Sequence, residues 1–167
     1  MRLGDLALPT ATLAAFVWVW DPAARHYPPE QFPGPLDVAR ALGELAADGT
    51  LWANTWISLA RFVTGYLLAV VVAMPLGLLL GRLVPAAFPG IMVGLHIAVG
   101  TAWIHLVAGE MLGAQAGLGY MIVDARNFLR TDVIMAGMLV VGLLGLAIYR
   151  GMRALERVIG RHWGLSR

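Results

Sequence analysis

The sequence predicts an all-α fold, an integral membrane helical bundle of about four transmembrane helices with short interfacial helices between them. Three observations carry that expectation. Hydrophobic residues make up 59% of the 167 and charged residues 13%, more apolar surface than a soluble domain of this size can hide. Four runs contain no Asp, Glu, Lys or Arg, namely Leu6–Trp20, Phe62–Gly81, Leu83–Gly109 and Val133–Tyr149. The arginines between those runs are distributed with a strong bias to one side.

A helix needs roughly 20 residues at 1.5 Å each to cross a hydrocarbon core of about 30 Å. The last three runs, of 20, 27 and 17 residues, meet that length or approach it and predict spans near 57–82, 90–110 and 133–150. The first, near 6–20, has 15 residues and is marginal; it draws on its flanks, with Trp18 and Trp20 as an interfacial belt. A signal peptide is the competing reading of that segment, but no small-x-small cleavage site precedes Asp21 and Pro22.

Pro22, Pro28, Pro29 and Pro33 mark a linker after the first span. A short helix follows over 35–48, with Pro35 at its first position and Gly49 as terminator. Val38, Leu42 and Leu45 form its apolar side and Asp37, Arg40, Glu44 and Asp48 much of the rest, the pattern of an interfacial helix. Its carboxylates are read as a solvated face.

The second span carries Gly65, Ala69, Ala73, Gly77 and Gly81, and the third Gly90, Gly94, Ala98 and Ala102. Small residues at every fourth position let helix backbones approach where no hydrophobic effect drives association, so these two helices are built to pack against each other or a partner. Pro75 gives the second span a place to kink.

Between the third and fourth spans, Gly109–Asp132 combines a glycine-rich turn with a short helix near 118–130. Leu118, Met121, Ile122, Ala125, Phe128 and Leu129 fall on one face, while Tyr120, Asp124, Asn127 and Thr131 form a polar stripe. Such a helix suits a membrane boundary.

With four alternating spans, the segments before Leu6, from Arg82 to Gly90 and after Tyr149, including a basic tail at 151–167, hold seven arginines in 32 residues; the opposite segments hold four in 58. Both termini are therefore expected on the cytoplasmic side of the membrane. The pI of about 9.5 reflects these flanks rather than a nucleic-acid interface. The chain has no cysteine and no lysine, which removes disulfides, thiolate metal sites, Schiff bases and a Walker A lysine. Ser58 and Ser166 are the only serines and neither sits in a nucleophile elbow, so no enzyme activity, cofactor or metal is expected.

Polar residues in or beside the spans are the functional candidates: Arg61, His96, Thr101, His105 and Glu110. Arg61 lies one residue outside a charge-free run and reads as snorkelling to the headgroups. His96 and His105 are nine residues apart, about 180° around a helix, and cannot share an ion within one chain. Thr101 and His105 stand one turn apart and suit a polar path or a hydrogen bond to a neighbouring helix. Glu110 is either a solvated boundary carboxylate or a gate or substrate contact.

Two stretches resemble the permease subunits of bacterial ABC importers of the nitrate, sulfonate and taurine type. Phe32–Arg82 is similar to their N-terminal part and Val84–Gly137 to their C-terminal part, with Glu110–Asp132 the most specific block. The resemblance implies a single transmembrane domain over 1–167 with a shortened MetI-like permease fold. It implies a translocation path for a small anion, with Thr101, His105, Glu110, Tyr120, Asp124 and Asn127 as path candidates. It also implies a second permease chain in a homodimer, cytoplasmic subunits that bind the ATP, a periplasmic substrate-binding protein and surrounding lipid.

The middle of such permeases holds two further spans and a cytoplasmic coupling loop with the pattern E-A-A, three residues, Gly, then Leu-Pro. Here Gly81 and Arg82 run into Leu83, Val84 and Pro85; Val84 and Pro85 resemble only the tail of that loop, with Val84 where Leu is usual. His96 stands where the family typically has an arginine. Two other readings follow from this shortening: a small helix-packing or assembly protein that uses the Gly/Ala stripes, or a non-functional remnant of such a permease.

Overall fold

The computed structural model describes residues 3–80 and 84–162. Six helices follow one another: α1 Leu3–Ala24, α2 Pro35–Ala47, α3 Thr50–Leu80, α4 Val84–Gly113, α5 Leu118–Asn127 and α6 Thr131–His162. Among the described residues, three segments are long and apolar enough to cross a membrane, Thr50–Gly77, Val93–Gly113 and Thr131–Arg157. The fold is an all-helical membrane bundle. α1 runs for 22 residues, about 33 Å, and meets α2.

The long helices overrun the charge-free runs that located them. α3 begins at Thr50, seven residues before the predicted span, and so carries Asn54, Ser58 and Arg61 as helical residues. α6 continues through the first part of the predicted basic tail to His162. Pro75 lies inside α3, which continues past it to Leu80. Val84 and Pro85, expected as a coupling-loop tail, open α4 as its first two residues, where proline loses no helical hydrogen bond. Gly81 lies outside the described residues.

The core gathers at one end of the bundle, where the short helices cover the long ones. Val38, Ala41 and Leu45 of α2, Phe62 of α3, Val99 and Trp103 of α4, Leu118, Met121 and Ala125 of α5, and Val133 and Ala136 of α6 form one cluster. α2 thus directs its apolar face onto α3 and α6. Asp37 accepts a hydrogen bond from the Gly34 N–H at 3.0 Å and Asp48 one from the Thr50 N–H at 2.8 Å. Its carboxylates therefore fasten helix ends.

Away from this core the apolar side chains face outward: Leu67, Leu68, Val71 and Val72 of α3 and Ile97 and Ile104 of α4 are exposed, as lipid-facing residues are. The small-residue stripes do not close on each other. Gly65, Ala69, Ala73 and Gly77 of α3 and Gly94, Ala98 and Ala102 of α4 line one groove enclosing about 330 Å³. A Cβ built on Gly65, Gly77, Gly90 or Gly94 meets nothing within 4 Å. α3 and α4 meet instead through larger groups: Phe62 lies edge-on to Trp103 at 5.5 Å and the Tyr66 hydroxyl donates to the Leu95 carbonyl at 3.3 Å.

Trp103 also ties α4 to α6, its indole N–H donating to the Val141 carbonyl at 3.2 Å. Trp103→Phe removes that hydrogen bond, worth about 1 kcal/mol, and some ring contact. The expected result is a modest fall in the thermal midpoint of the detergent-solubilised protein, and no fall would show the bond to be without net value.

Candidate functional site

The most organised polar cluster lies where α3, α4 and α5 meet. Asn54, Ser58 and Arg61 follow one another on α3 at spacings of four and three, which places them on one face. Glu110 stands in the last turn of α4, only 3% exposed. A carboxylate taken that far from water is costly unless charge and hydrogen bonds replace its hydration. The Ser58 Oγ lies 2.9 and 2.8 Å from its two oxygens, Arg61 donates to Oε1 at 3.1 Å, and the Gly119 N–H donates to Oε2 at 3.1 Å.

The same side chains finish the N-terminus of α5, which begins with free N–H groups and a glycine that has no side chain to cap them. Asn54 Oδ1 accepts from the Gly117 N–H at 2.8 Å and Ser58 Oγ accepts from the Leu118 N–H at 2.8 Å. Arg61 reaches over to the Ala116 carbonyl. The anionic Glu110 at this helix start also meets the positive end of the helix dipole. Among the described residues this is a clamp that fastens the turn between α4 and α5 to α3, with its carboxylate engaged inside the protein.

The glycines of the turn are explained by that clamp. Gly117 has φ +124°, a conformation that side-chain-bearing residues rarely adopt, and a Cβ there would come within 2.4 Å of the Glu110 carboxyl carbon. A Cβ on Gly119 would lie 2.5 Å from the Val107 backbone oxygen, so α5 rests directly on the α4 backbone.

The predicted path residues are not brought together. Glu110 is buried, which corrects the solvated-carboxylate reading, and Arg61 is paired with it, which corrects the reading of a simple snorkelling arginine. Thr101 and His105 lie on the exposed side of α4, about 180° and 140° around the helix from Glu110. Both bond within their own helix, Thr101 Oγ1 to the Ile97 and Ala98 carbonyls at 2.9 and 3.1 Å and His105 Nδ1 to the Thr101 carbonyl at 2.7 Å. Thr101→Val is therefore expected to change stability by less than about 0.5 kcal/mol; a large fall in the thermal midpoint would show a contact outside this helix.

Tyr120 and Asp124 are partly exposed and Asn127 is exposed, and none of them takes part in the clamp's hydrogen bonds described above. Leu118, Met121, Ile122 and Ala125 are buried as their face predicts, but Phe128 and Leu129 are 72% and 77% exposed. α5 ends at Asn127, and Leu129 turns the chain with φ 55°, which takes both residues off the helical face. Thr131 belongs to α6, with its hydroxyl on the Glu30 carbonyl. Beside it, Arg130 joins Glu44 of α2 at 3.2 Å and Asp132 at 2.9 Å, and hydrogen bonds to Asp132 and Glu44 hold its guanidinium above its ordinary pKa.

His96 lies against α6, with Nδ1 3.3 Å from a Glu156 oxygen, and is remote from His105 as the helical angle requires. Asn54 and Ser58 are the site residues that sequence reasoning missed. Their signal was a polar stripe with Arg61 on an otherwise apolar helix.

Long apolar helices, joined at one end through a buried carboxylate and its half-exposed arginine, define a multi-pass membrane protein. The chain belongs to the family of binding-protein-dependent transport system inner membrane components, which matches residues 73–163, more than half of its length. The family comprises transport components rather than enzymes, and its name places the chain in the inner membrane.

Relatives agree with that assignment. The taurine transport system permease protein TauC of Escherichia coli (strain K12) is 43% identical over 75 residues, 45% of this chain and 27% of the relative. The putative aliphatic sulfonates transport permease protein SsuC of the same organism is 34% identical over 122 residues, 68% of this chain and 45% of the relative. The nitrate import permease protein NrtB of Synechocystis sp. (strain ATCC 27184 / PCC 6803 / Kazusa) is 39% identical over 77 residues, 46% of this chain and 28% of the relative. The chain thus spans less than half the length of these curated relatives. No solved structure matches it.

Proposed function

We propose that the chain is a permease subunit of an ABC import system for a small anion such as nitrate, a sulfonate or taurine, forming part of the translocation path and relying on ATP hydrolysed by a partner. The observation that carries this reading is the reach of the family match, which takes in the end of α3, α4 with Glu110, the turn, α5 and the whole of α6. Relatives named for taurine, sulfonate and nitrate supply the substrate class. A second copy of the chain, cytoplasmic ATP-binding subunits and a periplasmic substrate-binding protein are the partners.

The arginine bias supports cytoplasmic termini, which would set α2, α5 and the clamp at the periplasmic end. Glu110 then works as the fastening of that end, while Thr101, His105, Tyr120, Asp124 and Asn127 stand as the path candidates. The test is uptake of labelled taurine, alkanesulfonate and nitrate in a host lacking its own permeases, with the chain expressed beside its ATP-binding and substrate-binding partners. Uptake of one of the three above the vector control is expected. Membrane insertion with no uptake and no copurified ATP-binding subunit would overturn the proposal.

One observation favours a second reading, a helix-packing or assembly protein: the open groove between the Gly/Ala stripes of α3 and α4 is shaped for an apolar helix. Gly77→Leu with Gly94→Leu fills it. Loss of association with other membrane subunits and unchanged uptake would favour assembly, and lost uptake would favour the permease.

A further inference from the structure

The far end of the bundle from the clamp holds a second polar feature. Arg150, Arg153 and Arg157 lie within about 60° of one another around α6, in the last turns of its membrane-crossing segment. Among the described residues none of them pairs with a carboxylate, because the nearby Glu156 is turned to His96 at 3.3 Å. Arg153 lies over the Tyr149 ring at 5.9 Å and Arg157 Nε donates to the Arg153 carbonyl at 3.2 Å, so two of the three are oriented by their own helix.

The guanidinium groups border a cavity of about 540 Å³ lined by Arg150, Arg153, Glu156 and Arg157. It shares Arg153 and Glu156 with an adjacent second cavity, of about 380 Å³, whose other walls are Val93, His96, Ile97 and Tyr149. One end of the combined groove is cationic and the other is largely apolar. Val93 and Ile97 are 59% and 63% exposed, and the buried Nε2 of His96 has no hydrogen-bond partner among the described residues.

We infer that this groove between α4 and α6 seats an anionic phospholipid, its phosphate among Arg150, Arg153 and Arg157 and an acyl chain along Val93, Ile97 and the Tyr149 ring. A free phosphate would use the arginines and leave the apolar wall bare. A zwitterionic lipid would bring its own cation against them. The level of the arginines, at the end of a span, is the level at which a headgroup phosphate lies.

Native mass spectrometry of the full chain in detergent, titrated with phosphatidylglycerol or phosphatidylcholine, tests this. The wild type is expected to retain phosphatidylglycerol at about tenfold lower lipid concentration than phosphatidylcholine, and Arg150→Gln with Arg153→Gln and Arg157→Gln to remove that difference. The triple Arg→Lys chain should keep much of the preference, since the charge remains. Inorganic phosphate at millimolar concentration should not displace the lipid, and displacement would show an ion site. Equal retention of the two lipids by the wild type overturns the inference even if the Gln chain fails to insert.

Discussion

Glu110→Ala is expected to destabilise the protein by about 3 kcal/mol, at the lower end of what breaking a buried ion pair costs. The lower end applies because Arg61 is 41% exposed and recovers hydration when its partner goes, whereas Glu110 is buried. Most of the effect comes from the Gly119 N–H and the Ser58 hydroxyl, left without their acceptor. Glu110→Gln keeps the shape and one acceptor oxygen, so its cost is expected at about half. Thermal unfolding in detergent checks both, and a Gln variant as damaged as the Ala variant would show that charge, not hydrogen bonding, dominates the clamp.

Gly119→Ala is expected to have an effect as large from a single methyl group. Its Cβ would meet the Val107 backbone oxygen at 2.5 Å and the Glu110 Cβ at 2.8 Å. Neither contact is the end of a flexible side chain, so α5 must lift from α4 and stretch the hydrogen bonds at its N-terminus. Overpacking of this kind costs about 1–3 kcal/mol before any lost hydrogen bond is counted. Faster proteolysis at the turn between α4 and α5, with the long helices intact, is the expected signature. Wild-type resistance would show that the turn yields without cost.

These two effects also mark how far the sequence could be read. α2 was legible almost to the residue because Pro35 and Gly49 are punctuation with a physical cause, a fixed φ at a helix start and a left-handed turn at φ 82°. The ends of α3, α4 and α6 were not legible from hydropathy. A charge-free run measures what lipid tolerates, and helical hydrogen bonding continues through Arg61, Glu110 and Arg150 regardless.

In the site, Glu110 stood out as a carboxylate at a span end, but nothing near it in sequence named its partners, which lie 52 and 49 residues earlier. Ser58 and Asn54 were read past because short polar side chains are common on helices and only the fold turns them toward α5. The end of α5 was misjudged for a related reason: Leu129 takes a positive φ without being glycine or asparagine, so no residue type announced the turn.

The chain order of the clamp carries a consequence for how the protein is made. Ser58 and Arg61 leave the ribosome before Glu110, and domains organise from the N-terminus during synthesis. The charge that waits is thus the arginine, whose long side chain can keep its head in the interface while α4 is still being made. The short carboxylate arrives with Ser58 and Arg61 already in the chain, and the Gly119 N–H follows nine residues later. An exchanged pair, glutamate at 61 and arginine at 110, would preserve the attraction in the finished fold and reverse that order, leaving the less adaptable ion to wait at the membrane.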